Sequence, residues 1–78
     1  MTKIELQKEI EVYLKRIEDP TESKMDKIEC LENGIRLTRE YLEKYKKPYN
    51  YSFMGAKINF SEPVINELEI IKESMHDK

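Results

Sequence analysis

Between Ile28 and Tyr45 the residues Ile28, Leu31, Ile35, Thr38, Leu42 and Tyr45 recur at alternating steps of three and four, the spacing that keeps a seam on one side of an α-helix. A second stripe, Cys30, Leu37 and Tyr41 with Gly34 between them, falls roughly 100–120° around the same cylinder at about 100° per residue. A helix greasy on two sides must be covered on two sides. Two other segments of the chain can supply both covers, or one cover can come from another copy of the chain. Asn33-Gly34 is also a turn and C-cap signal, but the seam keeps its phase across it. The sequence therefore predicts one continuous helix, the longest element of the chain, closed by Lys44, Lys46 and Lys47 at its negative end and stopped by Pro48.

The flanking segments have the pattern such covers need. Thr2 with Glu5 forms a capping box that opens a first helix, whose face is Leu6, Ile10, Tyr13 and Ile17. Asp19-Pro20-Thr21-Glu22 has the same spacing, so it is expected to end the first helix and start the second, with Pro20 at the first helical position. Ser61-Glu62-Pro63 opens a third helix, with Phe60 before the cap and Ile65 four residues after it as a hydrophobic staple. Its face is Val64, Leu68, Ile71 and Met75. Between Pro48 and Phe60 the period drops to two: Tyr49, Tyr51 and Phe53 alternate with Asn50 and Ser52, and Met54-Gly55-Ala56 can turn the chain into Lys57-Ile58-Asn59-Phe60. This segment is a short β-hairpin or an extended aromatic loop, and a lone hairpin would need the helices or a partner strand to hold it. The expected fold is mainly α, a compact three-helix domain over residues 1–78.

Size and charge narrow the function classes. A chain of 78 residues buries only about 60% of its extended surface, and a single core of that size rarely supplies more than about 3–5 kcal/mol. Charged residues are 38% of it, against about 25% in an average soluble domain. The lean core and the two-sided second helix together predict a homodimer at micromolar concentration, joined through Leu37 and Tyr41, or through Ile4 and Val12 on the second face of the first helix. No apolar run approaches the roughly 20 residues that span a bilayer, no signal-type block follows Met1, and Cys30 alone makes no intrachain disulfide. A cytoplasmic location without membrane contact is the expectation, which leaves the sequons at Asn50 and Asn59 without use.

Chemistry has little to stand on. The chain has no Cys-x-x-Cys, His-x-x-x-His, Walker loop or Gly-x-Gly-x-x-Gly, and only two glycines. Cys30 sits in an apolar stripe, as a small core residue does. His76 lies in a terminal Met75-His76-Asp77-Lys78 tail, expected to fray. Glu11 with Lys15, Glu40 with Lys44 and Glu43 with Lys47 are spaced as paired charges on a solvated helix face. No catalytic, cofactor-binding or metal-ligating residue is assigned, and the chain is expected not to be an enzyme.

One stretch stands apart. Lys44 to Ser61 holds Lys44, Lys46, Lys47 and Lys57 and no acidic residue, which leaves −6 on the remainder against −2 for the whole chain. Six of the seven aromatics, Tyr41, Tyr45, Tyr49, Tyr51, Phe53 and Phe60, lie in or beside it. Aromatic anchors with a charged rim fit a protein interface, and the expected partner-binding residues are Tyr49, Tyr51, Phe53, Lys46, Lys47 and Lys57. The function expected is a non-enzymatic intracellular protein–protein interaction module acting as a small regulator, inhibitor or adaptor, of the kind a virus or mobile element could use. The alternative is a nucleic-acid-binding accessory protein using the basic aromatic segment 44–60, because lysines neutralise phosphates and rings stack on bases. Mimicry of nucleic acid is poorly served by a net charge of −2 with acids and bases interspersed.

Overall fold

The computed structural model describes residues 2–53 and 55–76. Helix α1 spans Lys3–Glu18, helix α2 Lys24–Tyr45 and helix α3 Glu62–His76, and the strands β1, Tyr49–Phe53, and β2, Ala56–Phe60, lie between α2 and α3. The fold is mainly α, with a two-stranded antiparallel hairpin where the period of the sequence changes.

Each start and stop has a local chemical cause. Thr2 caps α1 as a full capping box: Glu5 N–H donates to Thr2 Oγ1 at 3.2 Å and Thr2 N–H to Glu5 Oε1 at 2.8 Å. Asp19 ends α1 in extended geometry, at ψ 118°, as the residue before a proline must. The expectation that Pro20 begins the second helix is not met. Asp19 Oδ1 instead accepts from Thr21 N–H and Thr21 Oγ1 at 2.9 and 2.7 Å, and Glu22 N–H closes a turn on Asp19 O at 3.3 Å. Pro20 is thus the second residue of a β-turn, a position its fixed φ also suits. Ser23 is the cap of α2, accepting from Asp26 N–H at 3.2 Å.

Helix α2 runs through Asn33-Gly34 without a break, and both of its stripes are covered within one chain, Leu42 and Tyr45 only partly. The Cys30–Tyr41 stripe faces α1, where Leu14 Cδ2 lies 3.5 Å from the position a Cβ would take on Gly34 and Gln7 Nε2 donates to Tyr41 Oη at 3.3 Å. The other side carries α3. Arg39 reaches Asn66 Oδ1 and Glu69 Oε2 at 3.4 and 3.8 Å, and His76 Nε2 lies 3.3 Å from Glu32 Oε1, so α3 runs antiparallel to α2. Contrary to the expected fraying, α3 remains helical to His76. Thr38, the fully buried polar residue of α2, satisfies its hydroxyl on Gly34 O and Ile35 O at 2.8 and 3.1 Å.

The helix ends on Lys46 in the left-handed region, at φ 58°, with its N–H on Leu42 O at 3.0 Å. The hairpin pairs Tyr49 with Phe60, Tyr51 with Ile58 and Phe53 with Ala56, and Gly55, at φ 84°, occupies the turn. Tyr49, Tyr51 and Phe60 are buried, while Asn50, Ser52, Lys57 and Asn59 on the other face are exposed.

Candidate functional site

The tyrosine strand is the first place to look, and it is turned inward. Tyr49 retains 6% and Tyr51 8% of its accessible surface. Side chains two apart on a strand share a face, and here that face lies on the helices: Tyr49 meets Tyr41 edge-on at 5.4 Å between ring centres and donates its hydroxyl to Glu11 Oε2 at 3.0 Å, while Tyr51 donates to Glu18 Oε2 at 2.5 Å. Burial, and then the neighbouring carboxylate, push both phenols well above the ordinary tyrosine range. The expected partner anchors Tyr49 and Tyr51 are therefore core residues, because the chain needs their rings to cover its helices. Of Phe53 the structure describes the backbone; its side chain lies outside the described residues. Lys46, Lys47 and Lys57 are exposed, but the rings of Tyr49 and Tyr51 are buried rather than open as a stacking platform would require.

Leu37 and Tyr41, expected at a contact between copies, are likewise covered, with 3% and 4% of their surfaces exposed. Tyr41 packs on Tyr45 and Tyr49 and bonds to Gln7. The two-sidedness of α2 is satisfied within the chain, by α1 and the hairpin on one side and α3 on the other. Ile4 and Val12 remain exposed on the outer face of α1. Cys30 is buried, and desolvation pushes its thiol upward from its ordinary value, away from nucleophilic character.

The open apolar feature lies elsewhere. Helix α3 was expected to bury Val64, Leu68, Ile71 and Met75, yet its fully buried residue is Ile65, roughly 100° around the helix from Val64 at ~100° per residue. The stripe instead faces sideways, with Val64, Leu68 and Met75 half-buried and Ile71 48% exposed. It forms one wall of a groove of about 340 Å³ whose other walls are Leu14 and Ile17 of α1, Lys27 and Leu31 of α2, and Ile58 and Phe60 of β2. Nine of these ten lining residues are apolar. The physical origin is the angle between the two stripes of α2: α1 and α3 pack on faces roughly 100–120° apart, so they diverge above it. The hairpin lies alongside α1, tied at Glu11 and Glu18, and its Ile58 and Phe60 complete the wall of the groove.

The groove was missed from sequence because no segment carries it alone. A signal existed in α3, where Val64, Leu68, Ile71 and Met75 form one face and Ile65 a different one, more apolar surface than a single neighbour covers. Among the described residues no group of three His, Cys, Asp or Glu stands close enough to hold a metal ion, and no helix is long and apolar enough to cross a membrane. Comparison with known proteins finds no matching family, no matching curated protein and no matching solved structure.

Proposed function

We propose that this chain is a non-enzymatic protein-interaction module, a small regulator, inhibitor or adaptor, that binds its partner protein through the groove between α1, β2 and α3. The observation that supports this is the apolar groove itself, lined by Ile17, Ile58, Phe60, Leu68, Ile71 and Met75 among others, with Ile71 48% exposed at its edge. A 78-residue chain with so lean a core leaves that much apolar surface open at a cost in stability and solubility, and open apolar surface rimmed by charge is what protein interfaces use. The nucleic-acid alternative retains its exposed lysines, but the rings of Tyr49 and Tyr51 that it needs for stacking are buried.

The test is capture from the cell of origin with wild-type protein, an Ile71→Glu variant and a Lys46→Glu/Lys47→Glu variant, with bound proteins identified by mass spectrometry. A partner retained by the lysine variant and lost with Ile71→Glu supports the groove. A partner retained by a folded Ile71→Glu protein and lost with the lysine variant moves the interface to the basic segment and overturns the assignment.

A further inference from the structure

We propose that the occupant of the groove is an amphipathic α-helix of another protein, lying between α1 and α3 with an acidic side chain set against Lys27. This rests on the groove being the protein-binding site and adds the chemistry of the partner.

Shape favours a helix. The α3 wall from Val64 to Met75 is about 16 Å long at ~1.5 Å per residue, three turns. It runs beside α2 with α1 on the far side, so a further helix laid in the cleft would complete a four-helix arrangement with ordinary side-chain packing. Helix-in-groove recognition uses apolar anchors at i, i+3 or i+4 and i+7, and three turns offer room for three of them. A small apolar ligand enclosed in the groove would leave the outer side of Ile71, 48% exposed, uncovered. A helix seated across the groove mouth covers Ile71.

Charge fixes the partner's polarity. Lys27 is the one charged side chain lining the groove. It is half-buried, and among the described residues it has no carboxylate within ion-pair distance. Asp19, the acidic group whose charge interacts with it, has Oδ1 engaged by Thr21. Lys24, one turn earlier on α2, adds a second exposed cation on the same side. An ammonium at the end of an otherwise apolar cleft selects an acid at the matching end of its ligand, and a basic residue there would be repelled.

A random-peptide display library panned against the wild-type chain supplies the probe, namely the tightest selected peptide carrying a fluorescent label. Peptides that enrich on wild type but not on Ile71→Glu should carry apolar residues at helical spacing with Asp or Glu beyond one end, and should gain helical circular dichroism on binding. Lys27→Glu should weaken them about three- to tenfold, and exchanging the peptide's acid for lysine should restore binding to Lys27→Glu. Both side chains are partly exposed, so both variants should fold; Leu68→Ala is the second groove variant. If no peptide distinguishes wild type from a folded groove variant, the groove is not a protein-binding site and the functional proposal fails with this one. Groove-specific peptides that show no acid preference and bind Lys27→Glu unchanged overturn the charge assignment alone. Extended bound peptides overturn the helix. A doubled mass in light scattering that Ile71→Glu abolishes assigns the groove to a second copy, and dodecanoate displacing every selected peptide assigns it to a small amphiphile; either result overturns the proposal.

Discussion

The phenol of Tyr51 in β1 donates to the carboxylate of Glu18 at the end of α1, joining residues 33 positions apart. Tyr49 and Glu11 repeat the contact one step back. The two pairs match a helical period to a strand period: Glu11 and Glu18 are two turns apart on one side of α1, and Tyr49 and Tyr51 are two residues apart on one face of β1. The helix advances about 10 Å over that interval and the strand about 7 Å, a difference the glutamate side chains can absorb. These bonds anchor a hairpin too small to be stable alone.

Removing either hydroxyl should therefore cost stability without disturbing the packing. Tyr49→Phe and Tyr51→Phe should each lose about 1–2 kcal/mol in urea unfolding at neutral pH. The same phenols have a folded pKa raised above the ordinary tyrosine value of about 10. Their contribution is thus fully present below about pH 10 and is lost as pH rises above it, because the unfolded chain ionises first. Melting followed between pH 8 and 12 should show a steeper alkaline decline in wild type than in the double Phe variant; parallel curves would remove the buried-phenol account.

Truncating the inward ring should be far worse than truncating its neighbour. Tyr49→Ala should cost about 3–5 kcal/mol, enough to unfold much of a domain this small, whereas Asn50→Ala on the exposed face should stay within about 0.5 kcal/mol. Equal, small losses at both positions would show that the strand does not pack on the helices.

Two substitutions should stabilise the chain. A methyl group on Gly34 meets Leu14 Cδ2 at 3.5 Å, an ordinary contact, so Gly34→Ala gains helix propensity of about 1 kcal/mol without a clash. Lys46 holds φ 58°, where glycine is at ease and lysine is strained, so Lys46→Gly should add about 0.5–1 kcal/mol. Thermal melts decide both, and a lowered Tm for Gly34→Ala would mean that α1 and α2 pack more tightly there than the distance implies.

Single-stranded DNA or RNA should not bind appreciably even in low salt, since the rings of Tyr49 and Tyr51 are buried and that of Tyr45 is half-buried under Lys3 and Lys44. Fluorescence anisotropy across a salt series measures this directly. An affinity that falls linearly with log salt and disappears on Lys46→Glu/Lys47→Glu would restore the basic segment as the functional surface.

Much of the fold was legible locally. The cap at Thr2, the unbroken α2 with its two stripes, and the change from helical to strand period at Tyr49 are each written in residues a few positions apart, because backbone hydrogen bonding and side-chain periodicity act over one or two turns. Even the inward face of Tyr49 and Tyr51 was implicit in their spacing, though not which side of the hairpin would meet the helices. Asp19-Pro20 shows the limit of local signals, since the same residues suit a helix start and a β-turn, and Ser23 with Asp26 makes the better cap.

The groove belongs to the tertiary structure alone. The sequence determined that α2 has two apolar faces and that α3 carries Val64, Leu68, Ile71 and Met75 on one side. Which neighbour covers each face depends on how three helices and a hairpin share the available surface, and that is a matter of angles between elements. Once α1 and α3 settle on faces of α2 that diverge, Leu37 and Tyr41 are enclosed, Ile65 goes to the core, and the α3 stripe is left facing an open cleft beside Lys27. Periodicity is a property of one element, whereas an unfilled space exists only between several.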